Sequence, residues 1–215
     1  MSKKAYSPEE RRQVRRRLIE GALRLFARYG YQKTTLAKLC EAAGISRTFF
    51  YTFFPGKEAL MMEALYIQQP RLVALAKKLM AGSPDWKTAM EQFLHFCSEG
   101  EKYDILILSL EEQQEIYRYC SEDSLREFRK RQLAFFLEIL RIFTVHASRK
   151  EAALIGSLFL SAILIRKAIP GSAPFLPEET ADAMTQFQLH SLLGLIETIR
   201  NTHIHEESVP SDSSS

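Results

Sequence analysis

Cysteine is scarce in this chain of 215 residues. Cys40, Cys97 and Cys120 are scattered, odd in number and without a CxxC pair. That argues against a disulfide framework and a zinc site, and it fits a reducing cytoplasm. His95, His146, His190, His203 and His205 form no metal-ligand cluster in sequence, so neither metal nor cofactor is expected. Long hydrophobic runs are missing as well. The longest, 152–165, has 14 residues and includes Gly156, Ser157 and Ser161. A membrane span needs about 20, so the run reads as a buried helix and no membrane partner is expected. The opening residues, MSKKAYSPEERRQVRRR, hold no apolar core, so no secretory signal is expected and the location is read as cytoplasmic. No GxSxG, GxGxxG, Walker-type or HExxH motif occurs, and no catalytic site is expected. Alternating strand patterns and internal repeats are also absent. What remains is an all-α architecture of about nine helices in two parts.

Charge is present but unevenly spread. Residues 1–60 hold 13 Lys and Arg against 5 Asp and Glu, a surplus of eight. Residues 61–215 hold 16 against 21, a deficit of five. A basic run alone reads as a solvated helix. A basic end on an otherwise acidic chain also fits attachment to a polyanion.

Helix signals run along the whole chain. Ser7-Pro8-Glu9-Glu10 combines a Ser cap, a first-position Pro and a third-position Glu, and it opens a helix to about Tyr29, where Gly30 stops it. Leu18, Ala22, Leu25, Phe26 and Tyr29 are its expected packing face. Arg11, Arg12, Arg15, Arg16 and Arg17 crowd its first half, within possible reach of a DNA backbone. A long helix is expected from Lys57 to about Leu79, kinked or broken at Pro70. Further helices are expected from Ser83 to about Glu99, Tyr103 to Tyr119, Ser121 to Val145, Ser148 to Ala168, and Pro177 to about Asn201. Glu111, Glu112 and Glu115 read as a solvated helix face. The tail from His205 is low-complexity and expected to be disordered.

The densest signal lies between Phe26 and Leu60. Thr34 or Thr35 can cap a short helix whose apolar face is Leu36, Ala37, Leu39, Cys40 and Ala43. Gly44 ends it. Ser46 caps a second, expected over Arg47 to Phe54, which Pro55-Gly56 breaks. Two short helices around a small-residue turn make a DNA-binding helix-turn-helix. Phe26, Gly30-Tyr31, Thr34-Thr35, Ala43-Gly44-Ile45-Ser46, Tyr51, Phe54 and Lys57-Glu58 together resemble the TetR/AcrR family of transcriptional regulators. The resemblance covers roughly residues 12–64, with the motif set spread over about 50 residues. It implies a DNA-binding domain over 1–56, a ligand-binding and dimerisation domain over 57–204, and a tail over 205–215.

The second short helix is expected in the major groove of double-stranded operator DNA. Arg47 is the candidate for direct readout, since a guanidinium bonds guanine O6 and N7 together. Ser46, Thr48, Phe49 and Thr52 are further candidates at base edges, with core packing the other reading for Phe49. Phe50 reads as core. Thr34, Thr35, Tyr51 and Lys57 are the expected phosphate contacts. Phe49, Thr48 and Phe53 depart from the family pattern, which more often has a small polar residue, Gly or Ala, and His or Tyr there, so no operator sequence transfers from a relative.

In the remainder, the resemblance implies a cavity for an apolar or amphipathic small-molecule effector, with Phe93, Phe96, Cys97, Leu106, Leu110, Tyr117, Phe136 and Phe159 as candidate lining. Two apolar stripes, one with Leu154, Leu158, Ala162 and Ile165 and one with Leu189, Leu192, Leu193 and Ile196, are the expected homodimer interface. The same stripes also read as central core. The expected function is a repressor released from a palindromic operator by its effector. Two alternatives stay open: a DNA-binding helical protein controlled by a protein partner, and a small helical enzyme whose first helices are only structural.

Overall fold

The computed structural model describes residues 6–169 and 175–208. Among them are nine α-helices and no strand: α1 Pro8–Tyr29, α2 Leu36–Ala43, α3 Arg47–Phe50, α4 Lys57–Gly82, α5 Trp86–Ser98, α6 Leu110–Tyr117, α7 Glu122–Ile142, α8 Arg149–Ala168 and α9 Ala181–Ser208. Short 3-10 turns occupy Gly100–Tyr103 and Glu178–Thr180. The chain forms two compact units. One takes the chain up to Arg71 together with Glu99–Cys120; the other takes Leu72–Ser98 and the chain from Ser121 onward.

The first unit begins with a complete capping box: the Ser7 hydroxyl accepts from the Glu10 N–H, and the Glu10 carboxylate accepts from the Ser7 N–H at 2.7 Å. Helix α1 buries Val14, Leu18, Ile19, Ala22, Leu23, Phe26 and Ala27. The expected face was narrower and turned: Leu25 is only half-buried and Tyr29 is exposed. The reason is that α1 packs against both α2 and the turn Gly100–Tyr103. Helix α2 is capped by Thr35 and ends at Gly44, whose φ of 68° is the left-handed conformation that glycine adopts without strain. Helix α3 is shorter than expected. After Phe50 the chain tightens into turns, with Thr52 N–H donating to Phe49 O and Phe53 N–H to Phe50 O.

The expected division after residue 56 falls inside this unit. Leu60, Met61, Ala64 and Leu65 of α4 are buried, Glu63 pairs with Arg15 at 3.1 Å, and Gln68 makes two hydrogen bonds to the backbone of Leu106. Helix α4 continues through Pro70, so of the kink or break expected there the break does not occur.

The second unit is built on α8 and α9, with α7 packed on α8 and α5 on α9. Ser148 and Glu151 close a second capping box. Phe93 meets Phe143 at 5.6 Å, and Ala152, Ile155, Ile163, Leu192, Leu193 and Ile196 are buried. Lys87 pairs with Glu197 at 2.6 Å and Arg200 lies over the Trp86 ring at 4.9 Å. The last helix reaches Ser208, beyond the expected end near Asn201, and His203 pairs with Glu151 at 3.1 Å. The tail expected from His205 thus starts inside α9, and the rest of it, beyond Ser208, lies outside the described residues.

Candidate nucleic-acid interface

Helix α3 presents Arg47 and Thr48 exposed, followed by exposed Tyr51 and Thr52 in the turn after it. The Ser46 hydroxyl accepts from Phe49 N–H at 3.2 Å and starts the helix. Phe50 is buried and meets Tyr51 edge-on at 5.5 Å and Phe54 at 5.9 Å, which fixes the helix from below. Phe49 is half-buried and lies in a ring cluster with Tyr6 and Phe53. Thr35 is exposed, its side-chain oxygen accepting from Lys38 N–H at 3.3 Å.

Two expected phosphate contacts are corrected. Thr34 is fully buried, and its hydroxyl is shared between Leu25 O at 3.2 Å and Gly30 O at 2.8 Å. The Lys57 ammonium donates to Tyr31 O at 2.9 Å and Thr34 O at 3.3 Å, 3.7 Å from the centroid of the Tyr31 ring. Burial lowers its pKa from the ordinary lysine value, against the pull of Glu115, Glu58 and Glu112. Both side chains tie the loop between α1 and α2; neither is aimed outward.

That loop is also held by residues that sequence reasoning missed or misread. Glu112 of α6, expected in solvent, is 8% exposed and accepts from the Tyr31 N–H at 2.5 Å and from Ser109 N–H at 2.8 Å. The Tyr31 hydroxyl donates to Glu58 at 2.6 Å; burial first, then this bond, raises its pKa. Gly30 sits at φ 77°, and a Cβ there would approach the Glu112 carboxylate to 3.0 Å. Ser109-x-x-Glu112 was a legible capping box, and it is complete. Its second role, 81 residues away, has no local signal.

Residues 18–64 match the family model described as bacterial regulatory proteins, tetR family. The match takes in α2 and α3 with the adjoining parts of α1 and α4. It is similar to the HTH-type transcriptional regulator YuxN of Bacillus subtilis, 29% identical over 159 residues, covering 69% of this chain and 54% of that protein. It is also similar to the HTH-type transcriptional repressor Rv1474c of Mycobacterium tuberculosis, 36% identical over 81 residues, 37% of this chain and 43% of the other. The chain thus spans about half, or less, of the length of these curated relatives. In fold it resembles a TetR-family transcriptional regulator from Pectobacterium atrosepticum, with a TM-score of 0.59 at 18% identity over 90% of this chain and 97% of that one.

The other expected site residues scatter. Of the candidate effector-lining residues, Leu106, Leu110 and Tyr117 belong to the first unit, and Phe93, Phe96, Cys97, Phe136 and Phe159 to the second. Leu110 and Tyr117 are exposed. Cys97 is buried, which pushes its thiol up to about 12 and keeps it protonated. Of the expected interface residues, Ala162, Leu192, Leu193 and Ile196 are buried within the chain's own core, a correction, while Ile165 and Leu189 are half-buried. Leu154 and Leu158 are exposed on α8, as is Phe187 on α9. Among the described residues no group of three or more His, Cys, Asp or Glu could hold a metal ion, and no helix is long and apolar enough to cross a membrane.

Proposed function

We propose that this chain is a cytoplasmic, non-enzymatic transcriptional regulator, a repressor that binds a near-palindromic operator as a homodimer and is released by an apolar or amphipathic small molecule. The observation that carries the reading is the exposed series Arg47, Thr48, Tyr51 and Thr52, set on a short helix whose underside is buried through Phe50 and Phe54. An exposed polar edge on a rigid base suits the major groove, where the first residues of the second helix meet base edges. The surplus of eight positive charges in residues 1–60 supplies the non-specific attraction to phosphate. The repressor named among the similar proteins supports the direction of control.

The homodimer draws support from apolar and small residues left exposed on α8 and α9: Leu154, Leu158, Phe187 and Gly194, where an added Cβ would meet nothing within 4 Å. Effector release draws its support from the resemblance and from the aromatic content of the second unit. The test is selection of bound fragments from random-sequence DNA. A palindromic consensus is expected, and Arg47→Ala should cost about 1–3 kcal/mol and relax one base position in each half-site. Retention of all sequences alike by the wild type would sink the reading of sequence-specific control.

A further inference from the structure

One aromatic cluster joins Tyr6, two residues before α1, Arg11 of α1, Phe49 of α3 and Phe53 in the turn after α3. The Tyr6 ring stacks on Phe49 with centroids 4.5 Å apart and planes 26° apart. Phe53 meets Phe49 edge-on at 5.0 Å. The Arg11 guanidinium lies 5.0 Å from the centroid of Phe53 and 6.0 Å from that of Phe49, with Nη2 directed at the Thr52 carbonyl at 3.4 Å.

Neighbouring arginines of α1 have carboxylate partners, Arg15 lying over the Phe54 ring at 5.3 Å as well. Arg12 pairs with Glu9, Arg15 with Glu63 at 3.1 Å and Arg16 with Glu20 at 3.0 Å. A carboxylate orients a guanidinium and offsets its charge. An aromatic face and a carbonyl orient it and leave its net charge whole. Arg11 is exposed, and its partner Thr52 is exposed in the turn after α3. A guanidinium already rested on rings also loses less rotamer freedom when an anion arrives.

We propose that Arg11 is a DNA-backbone contact held ready by Phe53, Phe49 and Tyr6, and that these three rings are positioning residues and not base readers. The proposal rests on the DNA-binding reading above. It gives a physical role to Phe49 and Phe53, the two aromatic departures from the family pattern: they make the surface on which Arg11 and Tyr6 rest.

The experiment uses the full chain and a duplex recovered from random-sequence DNA by the wild-type protein, titrated between about 50 and 200 mM salt. Arg11→Ala should weaken binding to matched and mismatched duplexes by one common factor. Its plot of log affinity against log salt should be shallower by about 0.9 for each phosphate contact removed. Tyr6→Ala should lower affinity in the same sequence-independent way, and Tyr6→Phe should bind as wild type. Tyr6 and Arg11 are exposed, so melting curves should confirm intact folding. Wild-type affinity and slope in Arg11→Ala would overturn the proposal. So would a changed base preference at one position in Phe49→Leu, which would make that ring a reader. If the wild type recovers no preferred duplex, the DNA-binding reading falls and this inference with it. If it recovers one that Arg11→Ala titrates identically, only the inference falls.

Discussion

Thr34 and Lys57 are polar residues at the first unit's basic end whose polar atoms point inward. The Thr34 hydroxyl serves two carbonyls at the end of α1, and the Lys57 ammonium serves two in the following loop. Thr34→Val keeps the shape and removes the donor, so it should cost about 1–3 kcal/mol, the penalty for buried carbonyls left without their partner. Lys57→Met should cost a similar amount. Neither should flatten the salt dependence of DNA binding. Denaturant melts read beside salt titrations decide this; a flattened slope with an unchanged melt would restore the phosphate role. Gly156 is a second residue set by its neighbour. A Cβ there would come within 2.2 Å of the Phe136 ring. Gly156→Ala gains about 1 kcal/mol of helix propensity, but overpacking costs about 1–3 kcal/mol. A net loss of stability is expected in a urea melt; a gain would mean that the ring moves aside freely.

Among the elements, α6 is the one whose role the sequence hides. It is eight residues long and begins with a capping box at Ser109, inside the longer helix expected over Tyr103 to Tyr119. The Glu112 carboxylate of that box also takes the Tyr31 N–H, which ties α6 to the loop before α2. Glu112→Ala leaves the N–H groups of Tyr31 and Ser109 without their acceptor and should destabilise the protein by about 1–3 kcal/mol. Glu112→Gln keeps an acceptor for one of the two N–H groups but sets its NH2 against the other, so it should lose less than the alanine variant. Equal losses in the two variants would mean that both acceptor oxygens are needed together. Hydrogen exchange at the Tyr31 amide gives an independent readout: protection should fall in the alanine variant.

At the scale of the whole molecule, the question is which apolar residues serve the chain's own core and which are left for the second copy of the proposed homodimer. Ile196 is fully buried, whereas Phe187, on the same helix, is 74% exposed. Ile196→Asp should unfold the second unit, because a charge without a partner would sit in the core. Phe187→Asp should leave the fold intact and shift the protein from dimer to monomer at micromolar concentration. Sedimentation beside circular dichroism separates the two outcomes. A dimer that survives Phe187→Asp would move the interface away from this face of α9.

The sequence by itself determined the helical class, the helix-turn-helix and most helix starts. Those rest on short-range physics: Ser7, Thr35, Ser46, Ser121 and Ser148 cap helices through atoms three residues away, and Gly44 ends α2 through its own φ. The tertiary structure alone decided which way polar groups point. Thr34 and Thr35 are adjacent and equally suited to phosphate, yet one is buried and the other exposed. Lys57 was expected to meet phosphate and Glu112 to face solvent, until the loop before α2 supplied their partners. The same holds for Leu192, Leu193 and Ile196 beside Leu154, Leu158 and Phe187. Periodicity marks an apolar stripe, but only packing against particular neighbours divides it into core and surface, because burial depends on groups that lie far away in the chain.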